Sequence, residues 1–237
     1  MMKAFQKSGR AIFIVPMVAL VTVIVLFLVY GVLFKESYTD TDTDTDTKMV
    51  PHLSEKDMAM FFKYLDNASV YFEFGSGGST YEASKRSNIR KIYSVESDKA
   101  WHDKLRKRIN HTDIVYMLTD MDSKNNWGYA GPKSTLAERK SYSDSIRSIE
   151  TDKAKYIDLV FIDGRFRVAC CLKCFNAVGP DCFIAFDDFL DRKYYHAVLD
   201  YFDIVEKTSD ERMVILKKKK NVSVPEELIA TYEKDQR

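Results

Sequence analysis

From residue 53 onward the sequence predicts an α/β architecture: a doubly wound, mostly parallel seven-stranded sheet that ends in an antiparallel hairpin. Three observations predict it. Short β-branched and aromatic runs alternate with stretches whose apolar residues recur at helical spacing. Strands separated by helices run parallel and are covered on both faces. The last two β-rich runs have no helix between them and turn around Ser209 and Asp210, so they pair antiparallel.

The elements follow in order. A helix over residues 53–65 places Met58, Met60, Phe61, Phe62, Tyr64 and Leu65 at helical spacing, with Ser54 as N-cap and Asp57 three residues on. The run 69–74 is a strand that closes on glycines, and 80–87 reads as helix. Residues 91–95 form the second strand, 99–109 a helix, and 113–118 the third strand. The polar stretch 122–155 holds a loop and one helix. The run 156–162 is the clearest buried strand, 166–178 a helix stopped by Gly179 and Pro180, and 181–186 the fifth strand. Residues 194–201 are helical, and the hairpin strands are 202–207 and 212–218. The lysines at 217–220 form a solvated end, and 221–237 a C-terminal tail.

The first 52 residues follow other rules. Residues 11–34 carry no charge, a run long enough to cross a hydrocarbon core of about 30 Å as a helix. A cleavable signal peptide would have a shorter apolar region, of about 7–15 residues, ending in small side chains. Lys3, Lys7 and Arg10 precede the span. The positive-inside rule therefore puts residues 1–10 in the cytosol and the domain outside or in a lumen of the endoplasmic reticulum or Golgi type. The expectation is a single-pass type II membrane protein. Sequons at Asn67, Asn110 and Asn221 agree with it and suggest a glycoprotein. Residues 35–52 form a linker, with alternating Thr and Asp over 39–47 as a solvated tether.

Composition narrows the function. Lys and Arg number 36 against 35 Asp and Glu, so charge offers no case for a nucleic-acid partner. Cys170, Cys171, Cys174 and Cys182 cluster, with no second Cys or His group to complete a zinc site. They read as small apolar residues packed from a helix, although an oxidising compartment would also allow a disulfide.

Ligands of such sheets bind beyond the carboxyl ends of the strands. The first strand closes on Glu73, Gly75, Gly77 and Gly78, a sharp turn ahead of a helix N-terminus. Thr80 stands where a dinucleotide fingerprint has its third glycine. Glu96 ends the second strand, about 20 residues on, where a carboxylate accepts ribose hydroxyls or, exposed, caps the helix that follows. Asp120, after the third strand, can accept from an adenine amino group beside Met121, or can stabilise a loop. Asp163 ends the fourth strand, followed by Arg165 and Arg167; Asp187 and Asp188 end the fifth. These three aspartates can hold a divalent cation or pair with Arg165, Arg167 and Arg192. The stretch 126–132, rich in aromatics and glycine, reads as a lid or acceptor platform, or as an ordinary surface loop. His196 is a further candidate proton acceptor, with a structural role as the alternative.

Glu73, Gly75 and Gly77, then Glu96, Asp120, the Phe161, Ile162, Asp163, Gly164 run and the Asp187–Asp188 pair resemble the class I S-adenosylmethionine-dependent methyltransferases. The resemblance spans residues 70–218 and is closest to the catechol O-methyltransferase branch. It implies a Rossmann-like fold with S-adenosylmethionine at Glu73, Gly75, Gly77, Glu96 and Asp120, and a magnesium ion at Asp163, Asp187 and Asp188. Asp188 stands where that branch carries Asn, and Arg165 and Phe166 replace its basic lysine. The implied reaction is methyl transfer to an oxygen of a small-molecule or glycan acceptor, with Asp163, Asp187 or His196 taking the proton. Two other functions share the fold: a nucleotide-sugar-dependent transferase, which needs a diphosphate site, and a non-catalytic binding domain, which predicts no cofactor affinity.

Overall fold

The computed structural model describes residues 49–109, 111–123, 127–210 and 212–237. The N-terminal segment 1–10, the apolar span 11–34, the Thr/Asp tether 39–47, and the side chains of Asn110 and Asn126 lie outside the described residues. Among the described residues no helix is long and apolar enough to cross a membrane.

Helix α1 (Glu55–Leu65) starts at Ser54, whose Oγ accepts from the Asp57 amide at 3.2 Å. Strand β1 (Val70–Phe74), helix α2 (Gly78–Ser84), β2 (Lys91–Glu96), α3 (Lys99–Arg108) and β3 (Ile114–Leu118) follow the predicted order. Then come α4 (Leu136–Asp144), a 3-10 turn (Ser145–Ser148), the short α5 (Thr151–Ala154), β4 (Leu159–Ile162), α6 (Arg167–Ala177) and β5 (Phe183–Phe186). A 3-10 segment (Lys193–Asp200) leads to β6 (Phe202–Lys207), β7 (Val214–Lys218) and α7 (Glu226–Tyr232).

The seven strands form one sheet in the order β3-β2-β1-β4-β5-β7-β6. β1 to β5 pair in parallel, and β7 runs antiparallel between β5 and β6. Strand order reverses between β1 and β4, which opens a crevice at their carboxyl ends. Period-two alternation divides the core. Phe72, Phe74, Val160, Ile162, Ile184 and Phe186 face α4 and α6; Tyr71, Ile92, Phe161 and Ile215 face α1. All four cysteines are free and buried, three of them on α6, and burial raises their thiols, so they act as packing.

Three segments depart from the sequence reading. The strand expected over 156–162 begins at Leu159, because Tyr156 is exposed and the Asp158 carboxylate accepts from the Ser69 and Val70 amides at 2.8 Å each. The stretch 122–155 holds two helices and a 3-10 turn rather than one helix; a capping box between Thr135 and Glu138 starts α4. Residues 221–237 are no free tail. They include α7, whose C-cap Glu233 is buried against Lys173 of α6 at 2.6 Å.

Candidate active site

Above the crevice lies an open cleft of about 820 Å³, within the range of about 300–1,000 Å³ usual for ligand sites. The loop from Gly75 to Ser79, Glu96, Asp163, Asp187 and Asp188 all line it. Gly77 and Glu96 thus face one common space.

Glu73 shapes this cleft from beneath. It is fully buried and does not line the cleft. Its carboxylate accepts from Tyr71 Oη at 2.9 Å, Ser79 Oγ at 2.6 Å, Ser94 Oγ at 2.7 Å and Thr80 Oγ1. Burial raises its pKa, and the four hydroxyls oppose the shift. The expected cofactor contact at Glu73 is therefore corrected: its hydrogen-bonding capacity goes to pinning β1, β2 and the start of α2. Thr80, in place of a third glycine, serves this cluster and also accepts from the Gly77 amide at 2.9 Å.

The glycine loop is shaped by close approach. Gly75 sits at φ +94°, and a Cβ there would come within 2.8 Å of the Gly164 nitrogen, so the β1 and β4 ends meet backbone to backbone. At Gly78 a Cβ would lie 2.3 Å from Pro51 N, because residues 50–51 cross the loop. That crossing alters the expected linker 35–52: Pro51 is buried, and His52 meets Trp127 edge-on at 5.4 Å. A Cβ on Gly77, in contrast, would meet nothing within 4 Å. Its bareness leaves room in the cleft itself, as a cradle for a ligand does.

Glu96 is held in place by backbone. Its Oε1 accepts from the Ser97 and Asp98 amides at 2.6 and 2.8 Å, and Oε2 from the Ser76 amide at 3.2 Å. Burial pushes its pKa up to about 7 against these three bonds. A carboxylate offers about four acceptor positions, so Oε2 can still accept from ribose hydroxyls. Gly loop, fixed acid and free volume together fit an adenosyl group.

The β4 and β5 ends form the other half. Asp163, Asp187 and Asp188 each place an oxygen within 4.8 Å of the others. Arg167, the first residue of α6, bonds Asp163 Oδ1 at 2.8 Å and the Asp187 carbonyl at 2.8 Å, and its Nη1 lies 3.5 Å from Asp188 Oδ2. Asp188 is also bound at 2.7 Å by both Arg192 and Arg212. The donor set does not fit the implied magnesium ion. A dication would face Arg167 at close range, and the charge of Asp188 is already paired with Arg192 and Arg212. The aspartates form an ion-pair cluster with Arg167, Arg192 and Arg212.

Asp187 differs from its neighbours. It is buried, and its Oδ1 has no hydrogen-bond partner. Burial, then the charges of Asp163 and Asp188, push its pKa up to about 8, with Arg167 opposing. Burial raises Asp163 as well, again against Arg167.

Two expected residues lie elsewhere. Asp120 is exposed, does not line the cleft, and accepts from the Asp122 amide at 3.1 Å, which is the loop-stabilising role. His196 is also absent from the lining: it stacks on Phe189 at 5.2 Å and its Nε2 lies 3.2 Å from the Phe189 carbonyl. The 3-10 geometry of its segment sets it into that packing role, so the catalytic expectation for His196 is corrected.

Other side chains complete the cleft, Arg165 among those named from the sequence and Tyr142 and Arg212 not. Tyr142 of α4 lines the cleft with an unpartnered hydroxyl, and a Cβ on Gly164 would lie 2.0 Å from that oxygen. Arg165 is buried with its Nε unpartnered and its guanidinium 4.2 Å above the Tyr129 ring. Arg212 reaches Asp188 from just before β7. Nothing in local sequence marks Tyr142 or Arg212, since both arrive through tertiary packing. Trp127 and Tyr129, from the suspected aromatic stretch, do line the cleft and are exposed.

No protein-family model matches the chain, and no curated protein matches it in sequence. Solved structures match it in fold. A methyltransferase-like protein from Silicibacter pomeroyi is 21% identical with a TM-score of 0.68, over 80% of this chain and 99% of that one. A ribosomal protein methylase from Lactobacillus delbrueckii subsp. bulgaricus is 13% identical with a TM-score of 0.48, over 72% and 84%. The first match and the sheet order give the described domain the fold of the class I S-adenosylmethionine-dependent methyltransferases.

Proposed function

We propose that the chain is an S-adenosylmethionine-dependent methyltransferase that methylates a hydroxyl oxygen of a small-molecule or glycan acceptor. One observation carries the reading: the bare Gly77, the fixed Glu96 and Asp187, whose Oδ1 has no partner, line one cleft. Bound S-adenosylmethionine supplies a methyl carbon on a positively charged sulfur. Glu96 would hold the ribose, and the Gly75–Ser79 backbone would line the rest of the cofactor's site. With the cofactor bound, Asp187 would receive the acceptor's hydroxyl proton while the methyl carbon passes from sulfur to that oxygen, which would leave a neutral thioether. Arg167 fixes Asp163 and the Asp187 backbone, so the accepting oxygen is aimed rather than mobile. A basic group with a pKa of about 8 suits proton removal near neutrality.

The test is transfer of isotopically labelled methyl to a panel of phenols and monosaccharides. Label should appear as O-methyl product and disappear in Asp187→Asn. A chain that binds nucleotide sugars but not S-adenosylmethionine would overturn the reading.

We also propose that residues 11–34 anchor the chain, with its domain on the lumenal or extracellular side. The charge-free run and the preceding Lys3, Lys7 and Arg10 support this, as do the exposed sequon residues Asn67 and Asn221. Alkaline extraction should leave the full chain in membranes, and glycosidase treatment should lower its apparent mass; release into the supernatant would contradict the anchor.

A further inference from the structure

We infer that Gln236 is a positioning residue for this cleft, and that residues 233–237 act as a latch joining the cleft's separate walls. The inference rests on the methyltransferase reading for its effect on cofactor, but not for its geometry. Gln236 makes two bonds to two different walls. Its Oε1 accepts from the Ala130 amide at 2.9 Å, in the loop that carries Trp127 and Tyr129. Its carbonyl accepts from the Phe166 amide at 3.3 Å, in the turn between Asp163 and α6. The next residue continues the pattern. The Arg237 backbone oxygen accepts from the Arg167 amide at 3.0 Å, and its guanidinium lies 4.3 Å from the Tyr194 ring, in the segment that follows Arg192.

These bonds matter because of what they cap. The N-terminal amides of a helix have no partner within it. The N-cap of α6 is Phe166, in left-handed backbone at φ 55°, with no side-chain cap hydrogen bond. Gln236 and Arg237 supply the missing acceptors from across the chain. The residue so capped is Arg167, which holds Asp163, the Asp187 carbonyl and the edge of Asp188. Displacing the latch therefore loosens Arg167 and the loop over Glu96 together, since Ser97 Oγ also bonds the Gly128 carbonyl at 3.0 Å.

The latch is anchored against being pulled off. Lys173 of α6 is buried and bonds Glu233 Oε1 at 2.6 Å, Asp144 Oδ1 at 2.7 Å and Ser143 Oγ at 2.8 Å. Glu233, at the end of α7, is buried as well. A paired, hydrogen-bonded buried charge resists removal of either partner. The anchor thus ties α7 to α6 and to α4, the helix that presents Tyr142.

The experiment compares the full chain with Gln236→Leu, which loses the side-chain bond, and Gln236→Glu, which keeps an acceptor. Amide hydrogen exchange is read residue by residue, and S-adenosylmethionine affinity is titrated. In the unaltered chain the Ala130, Phe166 and Arg167 amides should exchange slowly. In Gln236→Leu the Ala130 amide should exchange roughly tenfold faster, the cofactor Kd should rise about five- to tenfold, and the melting temperature should stay nearly unchanged. Gln236→Glu should restore both. Unprotected amides in the unaltered chain, or a folded Gln236→Leu with unchanged Ala130 exchange, would overturn the latch. Altered exchange in a chain that never binds S-adenosylmethionine would leave the latch standing and remove the methyltransferase reading instead.

Discussion

At the carboxyl edge of the sheet, Glu73 on β1 and Asp187 just past β5 are both buried acids, yet their surroundings diverge. Glu73 accepts from four hydroxyls and is sealed from the cleft, whereas Asp187 lines the cleft and keeps one buried oxygen unpartnered. Burial raises the pKa of both. What separates the structural acid from the proposed proton acceptor is the supply of donors. Glu73 has its donors within the fold, and Asp187 is left to find one in a ligand.

The largest effect should come from the reactive member. Asp187→Asn should lower kcat about 10²- to 10⁴-fold while cofactor affinity holds, because only the proton acceptor is lost. Initial-rate kinetics alongside titration would show the split, and an equal loss of affinity would break the comparison. Glu73→Leu should act on the other axis. Several buried hydroxyls lose their acceptor, so unfolding free energy should fall by about 3 kcal/mol in denaturant titrations. An unchanged midpoint would mean that the hydroxyl cluster contributes nothing.

Glu96→Ala should weaken S-adenosylmethionine binding about 10- to 100-fold, the worth of one or two charge-assisted hydrogen bonds to ribose. Acidity sharpens the contrast further. Glu96 and Asp187 bind their protons more tightly folded than unfolded, with folded values of about 7 and about 8 against 4.5 and 3.8. Their contribution to stability is full below the unfolded values and is lost as pH rises through about 7 and then about 8. The cofactor-free melting temperature should therefore decline between about pH 4 and 8 and level off above, while turnover rises as Asp187 ionises through about 8. The smallest effect is expected from metal removal: a chelator should leave turnover unchanged, because Arg167, Arg192 and Arg212 already neutralise the aspartates.

The fold was legible because strand and helix periods alternate from residue 53 onward and Gly179 with Pro180 marks a stop. Gly75, Gly77, Glu96, Asp163, Asp187 and Asp188 were legible as strand-end residues, and they do line one cleft. Residue type and position could not reveal which acids were already satisfied. Glu73 looked like a ligand because its hydroxyl donors at Ser79, Thr80 and Ser94 only converge once α2 and β2 pack. Asp120 and His196 carry suitable chemistry, but local turns aim them away from the cleft. Residues 233–237 read as a polar tail because the bonds of Gln236 reach 106 residues back along the chain, to Ala130.

Titration calorimetry of the chain and of Gly77→Val with S-adenosylmethionine is the most direct test of the shared cleft. Saturable one-site binding is predicted for the unaltered chain. At least a tenfold loss is predicted for Gly77→Val, with an unchanged melting temperature, since no atom lies within 4 Å of a Cβ at that position. No binding by the unaltered chain, or equal binding by Gly77→Val, would contradict an adenosyl site between β1 and β2.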